Sequence, residues 1–126
     1  MKRHNIEFLW AWFDALRRRD TETMAAALDR DVVWRGIHEG LACNGPEEVV
    51  AAFVSEYDAN QEIDSLELLG SERHIVLGVR APDLGEVDGV DIGGEMYNVF
   101  TIENEAITRI EDYLRREEAL AAAGLG

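Results

Sequence analysis

Residues 93–124 read GGEMYNVFTIENEAITRIEDYLRREEALAAAG, and this stretch decides the fold. Side chains along residues 96–102 alternate between two faces, and so do those along residues 106–113, which predicts two β-strands. The intervening Glu103-Asn104-Glu105 contains an asparagine, which tolerates a positive φ, and so predicts a tight turn. A short helix is predicted after the second strand. The stretch therefore predicts a β-hairpin followed by a helix.

Asp112 is the unexpected residue of the second strand. It shares a face with Ile110, and an inward carboxylate is unfavourable unless it has a partner or a function. An apolar pocket raises the pKa of an aspartate toward the range used in acid/base catalysis, whereas an arginine such as Arg80 opposes that shift. The structural alternatives are a salt bridge from Asp112 to Arg80 or Arg109, or an aspartate at the rim of the pocket.

Length and charge limit the class of protein. The 126 residues predict one domain spanning residues 1–126, and the net charge of −14 argues against nucleic acid or an anionic membrane as partner. Cys43 is the only cysteine, so an internal disulfide is impossible. The N-terminal residues predict an amphipathic helix rather than a signal peptide. We therefore expect a cytoplasmic protein without a spanning segment.

Hydrophobic spacing along the rest of the chain predicts three helices and one strand before the remaining strands. Pro46 followed by two glutamates is a strong signal for the start of the third helix. This order predicts an α+β fold, with helices packed on one face of a curved, mainly antiparallel sheet. The predicted elements are helices over 5–19, over 21–28 and from 45 onward, strands over 31–35, 63–69, 74–80, 96–102 and 107–113, and a loop over 36–44.

Three segments carry a resemblance to a known superfamily: FDALRRRDTETMAAALDRDVVW (residues 13–34), NGPEEVVAAF (44–53) and AITRIEDYLRREEALAAAGL (106–125). They resemble the nuclear-transport-factor-2-like (NTF2-like) superfamily, and more narrowly its SnoaL-like bacterial branch. The resemblance implies a cystatin-like, cone-shaped α+β barrel around one deep apolar pocket. It also implies a homodimer packed through the outer face of the sheet, with Tyr97, Val99 and Thr101 supplying part of that face.

Ketosteroid isomerases of this superfamily place a catalytic aspartate after the first strand, a tyrosine in the first helix and a protonated acid in the penultimate strand. The matching positions here are Gly36, Trp12 and Asn98. The base and the tyrosine are therefore missing, while Asn98 retains a donor suited to an oxyanion.

Two other enzyme groups place an acid where this chain has Asp112. Limonene-epoxide-hydrolase-like enzymes use an Asp–Arg–Asp set, whose matching positions hold Pro82, Arg80 and Asp112 here. Polyketide cyclases of the SnoaL type use an acid in the last strand, which again corresponds to Asp112. The resemblance thus implies an acid/base role for Asp112, with Arg80 and Asn98 as polar helpers.

His38 follows the first strand, close to the position of the isomerase base, and is the candidate for a substitute base, although an ordinary surface-loop histidine is the commoner case. The spacing of the three histidines matches no zinc motif, and we predict neither a metal nor a cofactor. Aromatic and apolar residues at inward positions predict the walls of a pocket for a hydrophobic small molecule, although plain core packing is the commoner role of such residues. The predicted lining residues are Trp12, Trp34, Met96, Phe100 and Ile110.

The sequence therefore leaves three hypotheses for function. The first is an enzyme without a cofactor that uses Asp112 for isomerisation, aldol-type cyclisation or epoxide hydrolysis of a hydrophobic metabolite. The second is a non-catalytic protein whose pocket binds an apolar ligand. The third is a dimerisation domain with a vestigial pocket.

Overall fold

The computed structural model describes residues 2–36, 42–56, 65–70, 73–80, 86–87, 90–91 and 94–125. Its helices and strands confirm the predicted α+β fold. In chain order they are α1 (Lys2–Arg17), α2 (Thr21–Ala26), β1 (Leu28–Arg35), β2 (Ala42–Asn44), α3 (Pro46–Glu56), β3 (Ser65–Gly70), β4 (His74–Arg80), β5 (Glu86–Val87), β6 (Val90–Asp91), β7 (Glu95–Glu103), β8 (Ala106–Tyr113) and α4 (Arg116–Ala122).

One curved sheet contains most of the described strands, in the order β2-β1-β8-β7-β4-β3. Within the described residues, the pairing of β1 with β8 is parallel and the other pairings in this sheet are antiparallel. The sheet is open, with β2 and β3 at its edges, so it forms an unclosed cone rather than a closed barrel. A separate small hairpin is formed by β5 and β6.

The inner face of the sheet carries the main core. Leu9 and Trp12 of α1 and Phe53 of α3 pack against Phe100 and Ile110 of the two central strands. Because these side chains are almost entirely removed from water, their burial is the main contribution to stability on this side of the sheet. The three N-terminal helices thus form one layer that packs on the inner face of the sheet, as predicted.

The outer face of the sheet is partly covered by α4. Ala119 and Ala123 pack against Val76, Tyr97 and Val99 in a second, smaller cluster. Two of the residues predicted for a dimer interface, Tyr97 and Val99, are therefore buried within the same chain. A homodimer through the outer face stays a prediction, and its interface would have to include residues that α4 leaves uncovered.

Several element boundaries differ from the predicted ones. β2 lies inside the predicted loop 36–44 and pairs with β1, and β1 begins at Leu28, which the sequence places in the second helix. Leu28 joins the sheet because it pairs with Ile107 of β8. The first helix ends at Arg17 because Arg19 has a φ of 59°, outside the right-handed helical region. None of the described helices is long and apolar enough to cross a membrane.

The turn between β7 and β8 has two residues in the left-handed region. Asn104 has a φ of 52° and Glu105 a φ of 61°, and Glu103 pairs with Ala106 across the turn. Two successive positive φ values are the signature of a type I′ turn, which matches the twist of the flanking strands. The predicted tight turn is therefore confirmed.

We expect Glu105→Gly to raise the free energy of unfolding by about 0.5–1 kcal/mol, because glycine adopts a positive φ without the strain imposed by a Cβ atom. Denaturant unfolding followed by circular dichroism measures the change. Glu103→Gly is the matched control, since residue 103 lies in the strand and glycine weakens a strand there. Equal destabilisation by both variants would contradict a type I′ turn.

We also expect Gly78→Ala to lower the free energy of unfolding by about 1–3 kcal/mol, as overpacking does. A Cβ atom at residue 78 would lie 2.9 Å from Cε1 of Tyr97 and 3.2 Å from Cγ of Glu67. The same substitution in a Tyr97→Leu background should be less destabilising, because the aromatic ring is then absent. An unchanged effect in that background would show that the ring is not the obstacle.

Candidate functional site

Strand alternation and register decide which side chains meet on the inner face of the sheet. Ile110 of β8 pairs with Trp34 of β1 on one side and with Phe100 of β7 on the other. Two residues further along β8, Asp112 pairs with Asn98 of β7. Because side chains alternate between faces, all five residues project from the same face of the sheet. The sheet therefore brings Trp34, Asn98 and Asp112 together.

Among the described residues, Trp34 and Asn98 are uncharged donors to the carboxylate of Asp112. Nε1–H of Trp34 donates to Oδ1 of Asp112 at 2.8 Å, and Nδ2–H of Asn98 donates to the same oxygen at 2.5 Å. Both bonds lie in a half-buried environment, where hydrogen bonds are stronger than in water. Oδ1 is thus fixed relative to three adjacent strands, and the orientation of the whole carboxylate is fixed with it.

Phe53 of α3 holds the indole of Trp34 in place. The two rings are stacked, with centroids 4.2 Å apart and planes inclined by 22°. Trp34 is only 8% exposed, so its N–H group needs a partner inside the protein, and Asp112 supplies it. The sequence predicts Trp34 as an apolar wall and misses its role as a donor. The available signal was the need of any buried tryptophan for an acceptor.

Arg80 does not lie beside Asp112, contrary to the prediction. Val79, one residue earlier in β4, packs against the inner core, so Arg80 projects from the outer face. There its guanidinium bonds to Glu95, with 2.5 Å between Nη2 and Oε1. The hydrogen bond from Arg80 lowers the pKa of Glu95. Arg109 also projects outward and pairs with Glu111, so the predicted alternative of a salt bridge from either arginine to Asp112 is not observed.

The predicted lining residues divide into two groups. Trp12, Phe100 and Ile110 are almost completely buried in the core, and Nε1–H of Trp12 donates to the carbonyl oxygen of Met24 at 3.1 Å. Trp34 bonds to Asp112, and the half-buried Met96 lies two residues from Asn98 on the same face of β7. The inner-face site therefore consists of Asp112, Asn98 and Trp34, with Met96 beside them.

An aromatic cluster fills the interior behind the inner-face site. The ring centroid of Trp12 lies 4.9 Å from that of Phe53 and 6.1 Å from that of Phe100, with near-perpendicular or inclined planes. Phe13 joins the same cluster through edge contacts to Trp12 and Phe100. These contacts are typical of a packed core and confine the candidate site to the end of the sheet that carries Asp112.

Two remaining predictions concern other parts of the chain. His38 lies outside the described residues. In the part of the chain that the structure describes, no group of three or more histidine, cysteine, aspartate or glutamate side chains is arranged to hold a metal ion. An open groove of about 580 Å³ lies between α2 and α3, with Ala25, Val50 and Val54 among its lining residues, and it includes none of the predicted site residues.

Comparison with solved structures identifies the fold. An NTF2-like protein from Burkholderia xenovorans LB400 matches 98% of this chain and 97% of its own, with a TM-score of 0.64 and 17% identity. A candidate ketosteroid isomerase from Kribbella flavida matches 88% of this chain and 77% of its own, with a TM-score of 0.62 and 17% identity. A candidate polyketide cyclase from Xanthomonas campestris matches 95% and 96%, with a TM-score of 0.61 and 17% identity.

The chain therefore has an NTF2-like fold, as the sequence resemblance implies. No protein-family model and no curated protein matches the sequence. Fold similarity at this level of identity does not assign a reaction, because one fold hosts many chemistries.

We expect Asp112→Asn to raise the free energy of unfolding by about 0.5–1 kcal/mol, because the amide oxygen can still accept both hydrogen bonds while the half-buried charge is removed. Asp112→Leu should lower it by about 2–4 kcal/mol, since the N–H groups of Trp34 and Asn98 then lose their acceptor. Thermal and denaturant unfolding of both variants measure the difference. A marked loss of stability in Asp112→Asn would instead identify the carboxylate as a structural ion-pair partner.

Proposed function

We propose that this chain is an enzyme that works without a cofactor, binds an apolar small molecule at the inner-face site and uses Asp112 to accept a proton from it. The observation that carries the proposal is the pair of uncharged donors, Trp34 and Asn98, on one oxygen of Asp112. A carboxylate fixed in this way is oriented for proton transfer before the substrate arrives.

Two uncharged donors suit a carboxylate that acts as a base better than a positively charged partner would. Trp34 and Asn98 carry no charge, so they orient the carboxylate without neutralising it. The stacked ring of Phe53 restricts the indole and thereby keeps its N–H directed at Oδ1.

The reaction class that fits this arrangement is removal of a proton next to a carbonyl group, the first step of both isomerisation and aldol-type cyclisation. Asp112 is the base, and the second N–H of the Asn98 amide is the candidate donor to the developing enolate oxygen. Epoxide hydrolysis fits less well, because it needs an acid together with a base, and the described inner-face site offers one carboxylate. The candidate isomerase and cyclase names of two similar structures agree with this class.

A second candidate function is a structural dimerisation domain. The aromatic cluster of Trp12, Phe53 and Phe100 favours it, because these rings occupy space that a large apolar ligand would need. In that case the inner-face site would only satisfy the buried N–H groups of Trp34 and Asn98.

The cytoplasmic location stays a prediction.

We expect the protein to catalyse exchange of deuterium into the α-carbon of apolar ketones such as 2-decalone or 1-tetralone in D₂O, followed by nuclear magnetic resonance. Asp112→Asn should slow this exchange by about 100-fold or more, the range that general bases contribute. The readout requires no knowledge of the final product, because exchange reports proton removal alone.

Glu111→Gln is the matched control for this experiment. It removes the same charge one residue away, but Glu111 projects from the outer face and pairs with Arg109. Exchange at the wild-type rate is expected for this variant. Absence of exchange above the buffer rate with every ketone tested would contradict the enzyme proposal.

A further inference from the structure

We propose that the groove between α2 and α3 docks an amphipathic helix of another protein, one whose apolar stripe is flanked by lysines or arginines. The groove shares no residue with the inner-face site, and its lining residues have no role in the proposed function. Docking in this groove therefore does not depend on Asp112 or on any reaction at its carboxylate.

One side of α3 supplies most of the groove. The lining residues of α3 recur at helical spacing and therefore project from the same side of the helix. They are Glu47, Val50, Ala51, Val54 and Ser55. Val49 and Phe53 of the same helix pack in the main core instead. The exposed Ala51 and the half-buried Val54 thus give α3 apolar surface beyond what its contact with the sheet uses.

The facing side of α2 leaves room for an occupant, because Thr21 and Ala25 are small and line the groove there. The groove has a volume of about 580 Å³ and is open to solvent. Pockets for small molecules instead bury about 70–90% of the surface of their ligand. An open apolar groove between two helices is suited to the apolar stripe of a third helix, which leaves its polar side in water.

The charges beside the groove decide which kind of helix fits it. Glu22 in the first turn of α2 and Glu47 in the first turn of α3 both line the groove and are both exposed. In the part of the chain that the structure describes, the salt bridges include neither glutamate. The described lining residues include no lysine or arginine. Basic residues beside the apolar stripe of a partner helix would therefore meet complementary charges.

The charge of the whole protein favours the same partner over a second copy or an anionic membrane. The net charge is −14, so two copies of the chain repel each other, and an anionic lipid surface repels the chain as well. The same charge accelerates the approach of a basic partner. The local glutamates and the overall charge thus both select a cationic helix.

Three model peptides test the docking by isothermal titration calorimetry. Each is an acetylated, amidated helix of about 15 residues, stapled on its solvent side, with leucines at positions i, i+3, i+4 and i+7. The positions that flank the leucines hold lysine, glutamine or glutamate. We expect the lysine peptide to bind at least about fivefold more tightly than the glutamine peptide, since each exposed charge pair contributes modestly. The glutamate peptide should bind most weakly, and added salt should reduce these differences.

Ala51→Gln and Ala121→Gln show whether the lysine peptide occupies the groove. Both alanines are exposed and helical, but Ala51 lines the groove whereas Ala121 belongs to α4 on the outer face of the sheet. Glutamine is a good helix former, so both variants should fold, which circular dichroism checks. Ala51→Gln should weaken binding of the lysine peptide by at least about tenfold, because the longer side chain obstructs the groove. Ala121→Gln should leave the affinity unchanged.

Two double variants separate the groove glutamates from the overall charge. Glu22→Gln/Glu47→Gln and its control Glu117→Gln/Glu118→Gln each remove two negative charges from the first turns of helices. The first should reduce the preference for the lysine peptide over the glutamine peptide to no more than about twofold. The control should retain the preference of the wild-type protein.

Several results would overturn the inference. They are binding of none of the three peptides, equal affinities for the lysine and glutamine peptides, and an equal loss in a variant and its control. Sedimentation velocity tests the other occupant, because a dimer that Ala51→Gln dissociates and Ala121→Gln does not would assign the groove to a second copy of the chain. None of these measurements involves deuterium exchange into ketones, so failure of peptide docking and failure of catalysis are distinguishable.

Discussion

The parallel pairing of β1 with β8 is the contact on which the site and much of the sheet depend. It places Trp34 beside Ile110, so that the indole N–H reaches Asp112 in the next inward position of β8. The antiparallel pairing of β7 with β8 brings Asn98 to the same carboxylate from the other side. Three strands thus converge on one oxygen atom, and a change of register in any of them would separate the donors from it.

The fold was largely predictable because its strongest signals are local. The start of α3 follows from Pro46 and the glutamates after it, and the β7–β8 hairpin follows from alternation around Asn104. β2 was not predictable, since its three residues show no periodicity and form a strand through pairing with β1. The start of β1 at Leu28 also depends on pairing with a distant strand, and local helix propensity carries no information about that pairing.

The site was predictable only in part. Asn98 and Asp112 occupy inward positions of consecutive strands, so alternation alone places them on one face. The face from which Arg80 projects was not predictable, because β4 is apolar on both faces. Since α4 covers the outer face, polar and apolar residues do not alternate along this strand. The donor role of Trp34 depends on a partner 78 residues away, which no local pattern can supply.

The 78-residue separation between Trp34 and Asp112 also orders the assembly of the molecule. The β7–β8 hairpin closes over two turn residues, whereas β1 finds β8 only after a long segment of chain has been ordered, and such distant contacts form slowly. During synthesis β1 leaves the ribosome well before the strand that completes it. β8 must therefore be synthesised before Trp34 and Asp112 can meet, and a nascent or partly opened molecule with an intact hairpin lacks the inner-face site.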